Sequence, residues 1–208
     1  MTIRTMAMIL LLASSAVSLF GQSAKFTHTS TGSCAGGLTS AAPVDVQKEF
    51  NPSGWMGDGE KGKQYVQIVP VAGEKARVGN ENGQVTKIHY QPGPVGWAGV
   101  YWLSPANNWG DKPPKQIQGA SKVVFWAAGQ KGGEIVEFKA GGVTGKACQD
   151  SFEQSTGQIA LTKEWKRYEI PLRKSPGALP VVGAFAWIAS SDGNPAGLFF
   201  YVDGVRYE

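Results

Sequence analysis

Four aromatic rings, Trp97, Tyr101, Trp102 and Trp109, fall within thirteen positions of the stretch GWAGVYWLSPANNWGDKPP, residues 96–114, which then breaks into amides, glycine and prolines. A ring beside residues that cannot be packed into an apolar interior stays partly uncovered. Trp55, Trp97, Trp109 and Trp126 are of this kind, each next to Gly, Asn, Asp or Pro or on a strand face shared with polar groups. An uncovered ring accepts the apolar C–H face of a pyranose, while neighbouring amides such as Asn107 and Asn108 bond the hydroxyls in the ring plane. Such a site needs little charge and no deep burial. Trp102 and Trp187 lie in apolar runs and are expected in the core, and Trp165 is expected to staple a strand end.

Other chemistries find fewer of the groups they need. There are two histidines, His28 in a polar tail and His89 in an expected strand, too few for a metal triad and unsupported as the base of a Ser-His-Asp set. Glu134, Glu137, Asp150 and Glu153 include conceivable acid pairs for glycoside cleavage, although carboxylates on strand surfaces are common. No dinucleotide fingerprint, phosphate loop or cysteine-pair zinc pattern is present.

The elements that must hold these residues are strands. Short β-branched or aromatic runs cover 65–69, 85–90, 98–103, 122–127, 134–139, 158–161, 166–172, 181–189 and 198–207. Turn residues bound them, as in Asn82-Gly83, Gly132-Gly133, Asp192-Gly193-Asn194-Pro195 and Asp203-Gly204. Beyond the first twenty residues no apolar stripe keeps a helical period. The chain is therefore all-β, and this many short strands without a fixed repeat predict a two-sheet antiparallel sandwich. Period two assigns the faces. Val136 and Phe138 point to the core, opposite Glu137 and Lys139; Leu198, Phe200, Val202 and Val205 do the same, leaving Phe199, Tyr201 and Asp203 outside.

The first residues read differently. Arg4 precedes an apolar run from Met6 to Phe20 and then small residues, the layout of a secretory signal peptide over 1–21. The run is too short to span a bilayer comfortably, so no membrane span is expected in the mature protein, which is secreted or periplasmic. Residues 22–43 are rich in Ser, Thr, Gly and Ala and read as a flexible arm, with the folded domain over 44–208. Loss of residues 1–21 lowers the net charge from +4 to +3, too mild and too evenly spread for a nucleic-acid binder. In an exported chain Cys34 and Cys148 are free to form one disulfide or to remain separate thiols.

The segments GASKVVFWAAGQKGGEIVEFKAGG, DSFEQSTGQIALTKEWKRYEIPL and GLFFYVDGVRYE, with WAGVYWLSPANNWGD upstream, resemble the jelly-roll, galactose-binding-like carbohydrate-binding modules of exported bacterial proteins. The resemblance implies a sandwich whose sugar lies across a concave sheet or at rim loops. It nominates Trp97, Tyr101, Trp109 and Trp126 as platform and Asn108 and Glu137 as polar partners for a polysaccharide or oligosaccharide. It also implies a structural calcium with Asp203 as a ligand, to which Asp58 is a possible second contributor; the alternative is that Asp203-Gly204 simply forms a turn. Two other functions fit the same fold, a small polysaccharide hydrolase or lyase and an exported protein-binding scaffold.

Overall fold

The computed structural model describes Cys34 and residues 37–81, 83–172 and 177–208. All of them belong to one unit, Gly32–Glu208. The expected signal peptide, most of the expected arm, His28 and Asn82 lie outside the described residues.

The strands are β1 (Thr39–Ala41), β2 (Val44–Asp45), β3 (Asn51–Gly57), β4 (Val66–Ala72), β5 (Gln84–Tyr90), β6 (Trp97–Leu103), β7 (Lys115–Gln118), β8 (Lys122–Gly129), β9 (Ile135–Gly141), β10 (Glu153–Ala160), β11 (Lys166–Pro171), β12 (Leu179–Val181), β13 (Gly183–Ser190) and β14 (Leu198–Tyr207). Two short helical turns, α1 (Val46–Glu49) and a 3₁₀ turn at Asp58–Lys61, complete the order. One sheet runs β10-β9-β13-β6-β3 and the other β11-β8-β14-β5-β4, with β2 added to β14; a small third sheet is β1-β7-β12.

The two large sheets are joined rank by rank: β10 leads to β11, β8 to β9, β13 to β14, β5 to β6 and β3 to β4. This alternation makes the chain a jelly-roll β-sandwich, as the sequence implied. Because both sheets are antiparallel, all five crossover loops gather at one rim. Alternation along the strands then fills the space between the sheets. Val136, Phe138, Leu198, Phe200, Val202 and Val205 are buried as expected, as are Trp102 and Trp187. Phe125 is the hub, with ring centroids 4.7 Å from Phe138 and 5.1 Å from Phe185. Tyr207 is fully buried and its hydroxyl donates to Ala184 O at 2.8 Å. Among the described residues, Trp187 Nε1 is the one buried side-chain nitrogen or oxygen without a hydrogen-bond partner.

Four sequence expectations need correction. The Ser/Thr/Gly-rich segment is not structureless to its end, because Thr39–Ala41 pairs in parallel with β7. The run at 158–161 is only the last part of β10, which starts at Glu153 and carries a bulge between Ser155 and Gln158. The run at 181–189 divides into β12 and β13, which belong to different sheets. β3 and β7 carry Gly, Pro or Gln where an apolar alternation would have marked them, and were not anticipated. Cys34 and Cys148 form a disulfide with Cα atoms 5.2 Å apart, which fastens the N-terminal segment to the loop after β9. Among the described residues no helix is long and apolar enough to cross a membrane.

Candidate functional site

Trp97 opens β6 on the outer face of the five-stranded sheet, where it is 37% exposed, more than any other aromatic ring among the described residues. Its place depends on Gly57 at the end of β3. That residue has φ +60°, and a Cβ there would lie 2.3 Å from Trp97 O and 3.0 Å from the indole. The chain leading into Trp97 is also fixed. Asp58 is 0% exposed, and its carboxylate accepts the Val95, Gly93 and Gly96 N–H groups at 2.8, 2.9 and 3.2 Å and the Tyr90 hydroxyl at 3.1 Å. Burial raises this carboxyl; the bonds from Val95, Gly93, Tyr90 and Gly96 outweigh it and leave it below the ordinary carboxylate range. The chain entering Trp97 is thus a rigid arch.

The outer row beside Trp97 crosses the sheet through Met56, Gly99, Ile188, Glu137 and Gln158, which are successive partners in register. Gly99 carries no side chain, and Met56 and Ile188 lean over the space, since a Cβ would meet Met56 Cε at 2.8 Å. Glu137 is half-buried and accepts a hydrogen bond from Ser155 Oγ. Next to it Lys139 pairs with Glu153. An apolar strip ending in an uncovered indole is therefore flanked on one side by carboxylates, an ammonium and hydroxyls.

Only part of the expected platform is here. Trp97 and Glu137 share this face, with Trp109 at its border. Tyr101 is 5% exposed and does not belong to the platform: the outward side of β6 is covered at that end by the loops after β6 and β9, which build a small second core of Tyr101, Leu103, Val143, Val182 and Ala186. Its ring meets Trp109 edge-on at 6.0 Å, and its hydroxyl donates to Gly141 O at 3.1 Å. Asn108 is 2% exposed and bonds its own loop: its amide donates to Ser104 O and Lys112 O, and its oxygen accepts the N–H groups of Gly110 and Lys112. No valence is left for a ligand, so Asn108 shapes the loop that carries Trp109.

Trp126 lies on β8, on the outer face of the other sheet. Strand alternation cannot tell the two sheets apart, which is why the sequence merged them. On that side the β4–β5 loop folds back across the sheet. Arg77 lies over the Trp126 ring at 5.0 Å and pairs with Asp203 through Nε and Nη2, both at 2.6 Å; Asn80 adds a third donor at 3.0 Å. Glu74 bonds Lys87 and the Tyr201 hydroxyl, Lys75 donates to Lys163 O, and Trp165 Nε1 donates to Ala76 O. A cleft of about 580 Å³ between Trp126 and Trp165 remains.

The residues nominated for calcium do not suit it. Calcium takes six to eight oxygens, whereas Asp203 faces a guanidinium and an amide and Asp58 is filled by four donors. Among the described residues no three His, Cys, Asp or Glu side chains lie together as a metal site. The carboxylates considered for cleavage are also engaged. Glu134 caps the Lys131 and Gly132 N–H groups. Asp150 is buried and accepts N–H groups of Val143, Val182 and Gly183; burial dominates and pushes its carboxyl up to about 6.

Sequence reasoning did not assign Met56, Ile188, Gln158 or Lys139 to the site. Lys139 was legible as outward beside Glu137 and Ile188 as the outward neighbour of the buried Trp187, but Met56 lies on β3, which has no apolar alternation, and the pairing of Gln158 with Glu137 is a matter of register that periodicity does not show.

No protein-family model matches the chain, and no curated protein sequence matches it. Solved structures do. The family 11 carbohydrate-binding module of the cellulosomal cellulase Lic26A-Cel5E of Clostridium thermocellum aligns at 16% identity over 81% of this chain and 95% of that one, with TM-score 0.47. A family 30 carbohydrate-binding module aligns at 10% identity over 80% and 98%, with TM-score 0.49. An exo-β-agarase matches at 8% identity over 81% of this chain and 25% of its own length, with TM-score 0.48.

Proposed function

We propose that this protein is a non-catalytic carbohydrate-binding module of the jelly-roll kind, exported from the cell, that holds an oligosaccharide or a stretch of polysaccharide on the outer face of its five-stranded sheet. The observation that carries the reading is the rigidly mounted, exposed indole of Trp97 at the end of the Met56–Ile188 strip, beside Glu137, Lys139 and Gln158. The indole and strip take the apolar faces of the sugar rings. The carboxylate, ammonium and amide take their hydroxyls, and the open face accepts the ligand as an extended chain. The disulfide fits an oxidising compartment. Among the described residues of this face Glu137 is bonded to Ser155 and Glu153 to Lys139, an arrangement that supports a binding role for these carboxylates.

The test is titration of soluble glucans, mannans and xylans against tryptophan fluorescence in the wild type and in Trp97→Ala. A saturable change with at least one polymer, lost in the variant, is expected. Absence of any response across the panel overturns the reading. Release of reducing ends that disappears in Glu137→Gln would replace it with a glycan-cleaving enzyme.

A further inference from the structure

Strand β14 changes partners along its length. On one side it pairs with β8, and on the other it pairs with β5 as far as Val202, opposite Thr86, and with β2 from Arg206, opposite Asp45. Between these two partners the strand bulges, with Asp203 at the start of the bulge and Gly204 at φ +60°. A bulge re-aims the side chains it carries. Because β5 leaves before β2 arrives, a notch of about 370 Å³ opens there, walled by β2 and α1, by Pro70 of β4, by Gln84, Val85 and Thr86 of β5, and by Asp203. Its size is at the low end of small-ligand sites.

The walls are fixed. Gln47 of α1 reaches across, its Oε1 accepting the Gly204 N–H at 3.1 Å and its Nε2 donating to Thr86 Oγ1 at 2.8 Å. Asp45 holds the start of α1, its Oδ1 accepting the Gln47 N–H at 3.1 Å. Asp203 is the group that the fold leaves incomplete. Its side chain is 8% exposed, and Arg77 Nε, Arg77 Nη2 and Asn80 Nδ2 all donate to Oδ2, at 2.6, 2.6 and 3.0 Å. Oδ1 accepts no hydrogen bond among the described residues. A carboxylate oxygen so nearly withdrawn from water is costly without a donor. Asp203 borders this notch and not the cleft under Arg77, so the free oxygen is the one turned to the notch.

Charge and donor count decide what fits. Two carboxylates, Asp45 and Asp203, stand against the one guanidinium of Arg77, which leaves one unit of negative charge. Lys48 Nζ is 3.5 Å from Asp45, but its side chain is 80% exposed and well screened. That balance suits a monovalent cation, whereas calcium takes six to eight oxygens and an anion would meet two carboxylates. Among the described residues no aromatic ring lines the notch, so a pyranose has nothing to stack on. Three acceptors are available: Asp203 Oδ1, Asp45 Oδ2 and the side-chain carbonyl of Gln84, an exposed residue whose side chain makes no hydrogen bond among the described residues. A primary ammonium has three donors. Pro70 and Val85 offer an aliphatic stem its apolar wall.

We infer that this notch is a binding site for a primary ammonium group on a short aliphatic stem, carried by a small free amine or by a lysine side chain, with Asp203, Asp45 and Gln84 as its acceptors. No residue of the notch belongs to the Trp97 face, so the site stands whether or not that face binds glycan. The test is two-dimensional amide NMR of the whole chain at constant ionic strength, following the Gly204 N–H and the Gln47 and Gln84 side-chain amides, with the Trp97 indole N–H as a remote control. Butylammonium, a butane diamine and a blocked Gly-Lys-Gly peptide are the probes; butanol and calcium chloride are the controls.

Butylammonium is expected to shift the Gly204 N–H and the Gln84 amide saturably and to leave the indole in place, while butanol and calcium move none of them. Asp45→Asn keeps a side chain that caps α1 but removes one charge, and should weaken the binding at least tenfold. Gln84→Leu, at an exposed strand position, should weaken it as well. Lys48→Ala removes the competing charge at the mouth and should strengthen it, an effect that a merely structural role for these residues does not produce. Peptide binding as tight as that of butylammonium assigns the lysine side chain as the source, and exclusion of the peptide assigns the free amine. Silence with every amine, an equal response to butanol, displacement of the amine by calcium, or affinities unchanged in both Asp45→Asn and Lys48→Ala overturns the site.

Discussion

Asp58 is the sharpest place to perturb the mounting of Trp97. Its Oδ2 takes three donors, from Tyr90, Gly93 and Gly96, and its Oδ1 takes the Val95 N–H, all without solvent. In Asp58→Asn one oxygen remains. Turned toward the three donors, it keeps those bonds without their charge; the amide nitrogen then faces the Val95 N–H, donor against donor. One stranded buried donor costs about 1–3 kcal/mol, and three bonds falling from charged to neutral strength lose about 1 kcal/mol each. Allowing for relaxation of the 91–96 arch, the expected loss is about 3–5 kcal/mol, a large share of an ordinary domain's stability. Urea unfolding measures it: with an m-value of about 2 kcal/mol/M, the midpoint should fall by about 1.5–2.5 M at neutral pH. The pH dependence supplies a second check. The folded carboxyl titrates below its unfolded value, so the unfolded chain binds the proton first as pH falls. The stabilisation is present above the ordinary carboxylate range and is lost as pH falls through the folded value, so wild type and variant should converge in acid. A loss under 1 kcal/mol at neutral pH, or a gap that widens in acid, refutes the arch.

Asp150 should act with the opposite sign. Its folded carboxyl is raised to about 6, so its contribution is complete below the ordinary carboxylate value and falls away as pH rises through about 6. Replacement by Asn should remove a pH-dependent component of about 2–3 kcal/mol from denaturation curves collected between pH 4 and 7. Arg77→Ala should cost about 2–3 kcal/mol in urea unfolding, because Asp203 keeps Asn80 but loses its cation; quenching by acrylamide should show Trp126 newly exposed. Cys34→Ser/Cys148→Ser should lower stability by about 3–5 kcal/mol, since the bridge closes a sequence separation of 114 residues. Reduction of the wild type should shift thermal unfolding to the same temperature as the double variant.

The sheets were legible because one face of each strand is buried. Val136 and Phe138 against Glu137 and Lys139 fix both a strand and its orientation, and the series Leu198, Phe200, Val202 carries β14 through its length. Period two gives a side chain's parity and nothing more. It therefore put Trp126 with Trp97, although β8 and β6 lie in different sheets. It also left Tyr101 outside, which is correct for the sheet but not for the molecule, because loops with no apolar period of their own cover that side. Asn108 shows the same limit from the polar side. An amide in a Gly- and Pro-rich loop has the composition of a ligand contact and of a loop pin alike, and only the positions of Ser104 O, Gly110 N and Lys112 decide between them. Asp58 and Asp203 were readable as carboxylates near turns, but their partners come from residues 32 or more positions away for Asp58 and more than 120 for Asp203.

The central claim is that the exposed indole of Trp97 is a sugar platform, and it is tested most directly by calorimetric titration of a glucan, mannan or xylan oligosaccharide into the wild type and Trp97→Ala. Measurable binding by the wild type, a loss of at least tenfold in the variant and a cooperative unfolding transition retained by the variant are expected, the last because the indole stands on the outer face of the sheet and not in the core between the sheets. Equal affinity in the two proteins, or no binding by either, contradicts it.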